Sequence, residues 1–163
     1  MITNGVWSAY VELGATAYKN GHLDVAEMML KAAMREKHGR QSDLEGVVIT
    51  IEALADQFAM LGQYAKAEKL YKRARTYYLR KQKSDEHACR LLYKLTEVFI
   101  SSDRFAMARR TFAQAYLLAK KTRDVSLEEH KQYLSKVLRL WKRKGRVIEA
   151  MSVHAELENL NAR

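Results

Sequence analysis

The sequence predicts an all-α protein built from four helix-turn-helix repeats, with eight helices in all. Three observations lead to this fold class. The 163 residues include no proline and only 7 glycines, so the turn formers that many-stranded β folds need are scarce. The commonest residues are Ala, Leu, Lys, Arg and Glu, which favour helices. A pattern of small and aromatic residues returns about every 41 residues, which indicates a repeat array.

The repeat is clearest in the second half of each unit. Residues 62–74 read GQYAKAEKLYKRA, and residues 103–115 read DRFAMARRTFAQA, with small and aromatic residues at matching places. The alanines that define the spacing are Ala26, Ala67, Ala108 and Ala150. The sequence therefore predicts one domain over 1–163, with repeats at about 5–41, 42–83, 84–125 and 126–160.

Each repeat contains two apolar faces of helical period. In the first helix, apolar or small residues recur at i, i+3, i+4 and i+7, as in Ile51, Leu54, Ala55 and Phe58 of the second repeat. The second helix carries the alanine pattern on one face. These faces predict helices over 5–20, 23–39, 43–61, 64–82, 85–102, 105–122, 127–144 and 147–160.

Helix boundaries are marked by capping and turn residues. Ser42-x-x-Glu45 and Ser126-x-x-Glu129 are capping boxes, and Ser84 precedes two acidic residues. A tight turn is expected within each pair, because a residue suited to a left-handed turn stands there in every repeat. These residues are Gly21, Gly62, Asp103 and Gly145.

The charge is unevenly distributed along the chain. The formal net charge is +10, yet residues 1–61 carry 5 basic and 8 acidic side chains while residues 62–163 carry 24 and 11. The basic part favours an acidic partner, or simply keeps the protein soluble. The single cysteine excludes an internal disulfide and a cysteine-built zinc site, and neither a signal peptide nor a membrane span is indicated. A reducing cytoplasm is the expected compartment.

The pattern resembles the tetratricopeptide repeat (TPR). The best match is the second repeat, where Ala55, Phe58, Ala67, Tyr71 and Ala74 stand at the signature positions. The period exceeds the roughly 34 residues of the ordinary unit and is similar to that of the long-repeat subclass of kinesin light chains. The His-Pro and Leu-Gly elements of that subclass are missing, so the resemblance implies the architecture and not a motor-adaptor role. It implies a right-handed α-solenoid whose first helices line a concave groove.

The same resemblance implies which side chains face the groove. Mapped onto this chain, the groove is acidic at its middle and basic in its C-terminal half, which suits an acidic or amphipathic segment of a partner protein. The acidic residues are Glu52 and Asp56. The residues of the C-terminal half are Arg90, Tyr93, Lys94, Lys136, Arg139, Lys142 and Arg143. A carboxylate clamp of the chaperone-binding type is not expected, because only Arg90 and Lys94 match it.

Two alternatives to this groove stay open. Basic residues interleaved with Tyr77 and Tyr78 could bind nucleic acid through Lys69, Lys72, Arg73, Arg80 and Lys81. The chain could also self-assemble through an uncapped C-terminal repeat, with its outer apolar side around Val153 and Leu157.

Catalytic motifs are missing from the sequence. It contains no Gly-rich phosphate loop, no nucleophile elbow and no His-Glu-x-x-His motif, and the five histidines are scattered. Cys89 is next to Arg90 at a predicted helix start, which favours its thiolate, but we interpret it as a small, half-buried packing residue. We expect no enzyme activity, no cofactor and no metal site.

Overall fold

A computed structural model of the protein describes residues 3–36, 41–80, 85–122 and 125–162. Within these ranges the chain forms eight α-helices and no β-strand, which confirms the predicted fold class. Successive helices are paired below as repeats 1 to 4, so that repeat 1 consists of α1 and α2, and repeat 4 of α7 and α8. The helices are α1 (Thr3–Lys19), α2 (Leu23–Arg35), α3 (Gln41–Met60), α4 (Tyr64–Arg80), α5 (Asp85–Ser101), α6 (Phe105–Lys121), α7 (Leu127–Arg143) and α8 (Val147–Asn161).

Every repeat has the same turn between its two helices. In repeat 1, the amide of His22 donates to the carbonyl of Ala17 over 2.9 Å, and the amide of Gly21 donates to the carbonyl of Tyr18 over 3.1 Å. This pair of bonds is a Schellman cap, which satisfies carbonyls at the helix end. The carbonyl at the Ala17 position accepts the same bond in the other repeats, at Phe58, Phe99 and Trp141.

The residue at the centre of each turn has a positive φ. Gly21, Gly62 and Gly145 have φ values of 77°, 74° and 66°, and Asp103 has a φ of 60°. Glycine adopts this conformation readily because it has no Cβ, whereas aspartate adopts it at some cost. The turn predictions from sequence are confirmed, and they fix the register in which the repeats are compared below.

One predicted capping box is confirmed at its serine. The amide of Glu129 donates to the Ser126 side chain over 3.1 Å at the start of α7. Helix α3 begins at Gln41, one residue before the predicted cap Ser42. The predicted cap Ser84 lies outside the described residues.

The chain forms two compact units, Met1–Ala74 and Arg75–Arg163, called unit 1 and unit 2. In unit 1, small residues let the helices approach closely. Ala26 and Ala33 are fully buried, and a Cβ on Gly14 would lie 2.8 Å from Cγ of the buried Leu30. Position 14 must therefore be glycine if the two helices are to keep this spacing. The single domain predicted over 1–163 stays a prediction.

The described interior of unit 2 contains aromatic and polar side chains. Ala108 and Ala115 of α6 are fully buried, as the repeat pattern predicts, and so is Trp141 of α7. The hydroxyls of Thr96 and Thr111 lie 3.0 Å apart between α5 and α6, both buried. Their hydrogen bond allows two polar side chains to occupy the interface between the helices.

The outer side of α8 differs from the sequence prediction. Val153 and Leu157 were expected at the open apolar side, but they are only 1% and 9% exposed. The exposed apolar side chains of α8 are instead Val147, Ile148 and Met151. The prediction was wrong because Val153 and Leu157 extend the buried face begun by Ala150, and this face packs against α7.

Candidate functional site

Helix α5 exposes one narrow line of polar side chains. Ten of its residues are buried, and the partly exposed positions after its first turn are Arg90, Lys94, Glu97 and Ser101. They are spaced i, i+4, i+7 and i+11, so they lie along one edge of the helix. Two cations and one carboxylate therefore mark the open edge of α5.

Helix α7 carries a second line of exposed polar side chains. Lys136, Arg139 and Arg143 are exposed, and their spacing of three and four positions places them on one face. This face lies opposite the buried Leu134 and Trp141. Three cations therefore follow one another along the open side of α7.

The two lines adjoin each other within unit 2. Lys136 Nζ lies 2.7 Å from Glu97 Oε2, which joins α7 to α5. Beside this ion pair, the rings of Tyr93 and Tyr133 stack with centroids 4.8 Å apart. We call the combined face the α5/α7 surface. It consists of five cations and one carboxylate: Arg90, Lys94, Lys136, Arg139, Arg143 and Glu97.

Tyr93, one of the predicted groove residues, lies inside the protein. Its side chain is 0% exposed and packs among the rings of Phe112, His130 and Tyr133. Burial raises the pKa of its hydroxyl well above the ordinary range. The prediction that Tyr93 faces a ligand was wrong, because Tyr93 stands beside the exposed edge of α5 and Tyr133 of α7 stacks on its ring.

Lys142 also lies away from the α5/α7 surface. It lines a cavity of about 210 Å³ on the side of α7 that is turned from α5. A helix advances 100° per residue, so Lys142 stands 60° from Arg139, on the side away from Lys136. The other residues that line this cavity are Gly145, Val147, Ala150, Met151 and His154.

The two predicted acidic residues belong to α3 in unit 1. Glu52 is 6% exposed, which is too little for direct contact with a ligand. Asp56 is half-buried, and its carboxylate accepts a hydrogen bond from the hydroxyl of the buried Tyr71 on α4. Glu52 therefore does not face a ligand, whereas the place of the half-buried Asp56 in a ligand groove stays a prediction.

A buried polar cluster lies beneath the α5/α7 surface. Cys89 is fully buried, and its thiol donates to the Ala115 carbonyl over 3.4 Å. Burial, with Glu129 and Asp85 nearby, raises the pKa of this thiol to about 12, so the thiolate suggested by Arg90 is not favoured. Burial, together with Lys120, lowers the pKa of His130, and Glu156 opposes this shift. Cys89 and His130 are therefore neutral packing residues at neutral pH.

Sequence reasoning missed the contacts that build this cluster. Tyr116 donates a hydrogen bond to Glu156 between α6 and α8, and Tyr133 stacks on Tyr93 between α7 and α5. The members of each pair are about one repeat apart in the sequence. A search for polar and aromatic residues at that separation would have found them, because equivalent helices of adjacent repeats are neighbours in such arrays.

The basic residues predicted to bind nucleic acid lie on α4 without open aromatic partners. Lys69, Lys72 and Arg80 are exposed, and Lys72 pairs with Glu68 over 2.6 Å. Arg73 is half-buried, and its pKa is lowered by burial and by Arg35. Lys81 lies outside the described residues. The aromatic rings that would stack on bases, those of Tyr77 and Tyr78, are buried.

Two negative findings apply to the part of the chain that the structure describes. In that part, no three His, Cys, Asp or Glu side chains come close enough together to hold a metal ion. None of the described helices is long and apolar enough to cross a membrane.

Comparison with known proteins shows the fold. No protein-family model and no curated protein matches the chain. Among solved structures, it is similar to BtubC (BKLC) from P. vanneervenii, with a TM-score of 0.66 and 16% sequence identity. The match covers 96% of this chain but only 63% of that one. At this identity the likeness shows a TPR-like helical repeat fold and nothing finer.

Proposed function

We propose that this TPR-like repeat protein is a non-enzymatic interaction scaffold, and that its α5/α7 surface binds an acidic segment of a partner protein. The fold supports a scaffold in general, because helical repeats present extended side-chain surfaces rather than a closed catalytic cavity. The chemistry of the α5/α7 surface supports the acidic ligand. Five cations and one carboxylate line this face within unit 2.

The observation that carries the proposal is the pair Arg139 and Arg143. Both side chains are exposed, and in the part of the chain that the structure describes no carboxylate pairs with either of them. Lys136, by contrast, already pairs with Glu97. An arginine presents a planar fork of donors that fits a carboxylate with two hydrogen bonds. These two guanidinium groups are therefore the strongest open anion sites on the surface.

Their spacing favours a particular ligand pattern. Arg139 and Arg143 are four positions apart, which corresponds to about 6 Å along the helix. Alternate side chains of an extended peptide share one face and are about 7 Å apart. A segment with acidic residues at every second position would therefore present two carboxylates to the two arginines.

The proposal is tested with a short fluorescein-labelled peptide in which Glu and Ser alternate. Binding is measured by fluorescence anisotropy to wild type and to the double variant Arg139→Glu, Arg143→Glu. We expect the affinity to fall at least about tenfold, which corresponds to about 1.4 kcal/mol. The control is Arg110→Glu, Lys121→Glu, which makes the same charge change at exposed positions on α6.

The outcomes separate this proposal from its alternative. An affinity loss in the α7 variant alone, with an unchanged circular dichroism spectrum, supports the α5/α7 surface. Equal losses in both double variants would mean that only total charge matters, and the proposal would be wrong. A peptide that does not bind, together with a labelled oligouridine whose binding weakens steeply with salt, would favour nucleic acid as the ligand.

A further inference from the structure

The outer face of α8 is apolar and open. Val147 and Met151 are exposed, and with His154 they line the cavity beside Lys142. We call the residues Val147, Met151 and His154, together with Arg139 and Lys142 of α7, the α7/α8 end face. Most single exposed apolar residues need no explanation, but side chains that line one cavity do.

Aligning repeat 4 with repeat 3 shows which residues of α6 correspond to the end-face residues of α8. The turn bonds that end at Phe99 and Trp141 make these two residues equivalent, and they define the offset between repeats 3 and 4. At that offset, Val147, Met151 and His154 stand where Phe105, Arg109 and Phe112 stand on α6. The exposed side chains of α8 can be compared directly with those three residues of α6.

On α6, these three positions contact the next repeat. The ring of Phe105 lies 5.9 Å from that of Trp141, and Arg109 Nη1 lies 3.0 Å from Glu149 Oε1. Phe112 lines a cavity together with Arg109, Trp141 and Glu149. The α8 residues of the α7/α8 end face therefore stand at positions that, in repeat 3, are covered by repeat 4.

The complementary positions on repeat 1 are exposed as well. Because Ala17 and Trp141 accept the same turn bond, Leu13 stands where Val137 stands in repeat 4, and Val25 stands where Glu149 stands. Val137 is fully buried, and Glu149 pairs with Arg109 of the preceding repeat. Leu13 and Val25 are instead exposed.

The same holds for two further apolar residues. Val6 corresponds to His130, whose ring lies 5.7 Å from that of Tyr116 on α6, and Met28 corresponds to Ser152, which lines the cavity with Phe112. Val6 and Met28 are both exposed. We call the set Val6, Glu12, Leu13, Val25 and Met28 the α1/α2 end face.

We infer that a second copy of this chain covers these faces, so that the α7/α8 end face of one copy packs on the α1/α2 end face of another. The contact would reproduce the interface between repeats 3 and 4, because the residues of the two end faces stand at positions equivalent to those on the two sides of that interface. Both end faces expose apolar side chains, and helical repeats of this kind bury such faces by stacking on one another.

Two of the equivalent side-chain pairs are chemically complementary. The ion pair Arg109–Glu149 is replaced at the contact by Met151 and Val25, which are both apolar. A second ion pair of the interface between repeats 3 and 4 joins Glu97 to Lys136. At the proposed contact, Arg139 stands at the position that corresponds to Glu97.

Glu12 of the second copy stands at the position that corresponds to Lys136. Opposite charges therefore meet again at the contact, with their signs exchanged. Arg139 and Glu12 are both exposed. An apolar pair and an opposite-charge pair at matching places favour this copy-to-copy contact over an arbitrary partner.

The contact joins two different faces, so a pair of copies does not use both faces of either copy. Each dimer would leave one face of each kind unused, and further copies could add. The full chain should therefore show a weight-average mass that rises with protein concentration. Sedimentation velocity, run as a series from low micromolar to the highest soluble concentration, measures this mass directly.

Matched variants test which faces meet. Met151→Glu should hold the mass at that of a monomer, because it buries a charge in the contact. Leu117→Glu is the control, since Leu117 is 66% exposed on α6 and Met151 is 67% exposed on α8. The control should associate as the wild type does. If Met151→Glu does not fold by circular dichroism, Val147→Glu replaces it.

A mixing experiment distinguishes this contact from a symmetric one. Met28→Glu blocks the α1/α2 end face, and Met151→Glu blocks the α7/α8 end face, so each variant alone should be monomeric. A mixture keeps one intact face of each kind and should form a 1:1 dimer and nothing larger. The proposal is overturned by a wild-type protein that is monomeric throughout the concentration series, by variants that keep the wild-type mass, or by a mixture that stays monomeric.

The failure of this inference is separate from that of the proposed function. Met151→Glu leaves Arg139 and Arg143 in place. Because Arg139 belongs to both surfaces, this monomeric variant should bind the acidic peptide at least as tightly as wild type does. Peptide binding and association are therefore measured independently.

Discussion

Units 1 and 2 follow one repeat template but differ in charge. Residues 1–74 contain 9 basic and 9 acidic side chains, whereas residues 75–163 contain 20 and 10, so unit 2 carries the whole net charge of +10. The turn bonds donated by His22, Gln63, Arg104 and Arg146 all measure 2.8 or 2.9 Å. The template therefore fixes the buried positions and turns, and it leaves the open faces free to acquire different ligand chemistry.

The interiors of the two units differ as well. Position 14 of unit 1 is a glycine against which Leu30 packs, while the equivalent position of unit 2 is Thr96, whose hydroxyl meets that of Thr111. Unit 2 also buries Cys89 and His130. Side chains fill the space between the helices in both units, and among the described residues unit 2 buries a titratable imidazole whereas unit 1 buries none. This difference predicts that the two units respond differently to mutation and to pH.

The largest effect is expected from truncating one leucine in each unit. Leu30→Ala and Leu134→Ala each remove a fully buried side chain, and each should lower the free energy of unfolding by about 2–5 kcal/mol. Because each repeat in such an array contacts only its neighbours, the loss should be local. Hydrogen exchange should show faster amides in α1 and α2 for the first variant, and in α7 and α8 for the second. Uniform acceleration throughout the chain would contradict a local response.

A smaller effect is expected at the turns. Gly62 has a φ of 74°, and no neighbouring atom lies within 4 Å of the place where a Cβ would stand. Gly62→Ala should therefore destabilise the protein by about 1 kcal/mol through backbone strain alone, as measured by denaturant unfolding. Asp103 already bears that strain at a φ of 60°, so Asp103→Gly should raise the melting temperature.

The control at this turn is Asp103→Asn. Lys144 Nζ lies 2.8 Å from the Asp103 carboxylate, and both side chains are partly exposed, so losing this ion pair should cost only about 0–1 kcal/mol. Asn keeps a side chain that tolerates the left-handed conformation and removes the charge. If Asp103→Gly melts below wild type but above Asp103→Asn, the ion pair outweighs the backbone strain. If it melts below Asp103→Asn as well, the strain argument is wrong.

The smallest effect concerns pH, and it is confined to unit 2. His130 has a pKa lowered by burial, so the folded state binds fewer protons than the unfolded state as the pH falls through its ordinary value of 6.5. Stability is therefore retained above that value and decreases below it. As the pH falls from about 7.5 to 5.5, the protection factors of amides in α5 to α7, which correct for the intrinsic slowing of exchange at lower pH, should decrease in wild type. His130→Gln should lessen this dependence, and an unchanged pH profile would contradict the assignment.

Much of the fold could be predicted from the sequence. The four turns follow from Gly21, Gly62, Gly145 and Asp103, which all stand at the position of the turn where φ is positive. The helices follow from apolar periodicity, since a stripe of period 3.6 can be buried only on one side of a helix. The cap at Ser126 was predicted for the same local reason, because its oxygen reaches an amide three positions later.

The candidate site was predictable only in part. The TPR resemblance implied that Arg139 and Arg143 face a groove, and both side chains are exposed. Tyr93 and Lys142 were misplaced, because the edge that a neighbouring helix covers depends on the angle at which helices pack. A sequence pattern gives the face of a helix to within one or two positions, and one position is a rotation of 100°.

The sequence by itself determined the helices, the turns, the repeat register and the sign of the charge on unit 2. These depend on local backbone preferences and on the period of apolar residues, and both can be read directly from the sequence. Only the tertiary structure decided that Tyr93 is buried, that Lys136 pairs with Glu97 and that Met151 is open. These depend on which side of a helix its neighbours cover, and that is set by side chains a whole repeat away in the sequence.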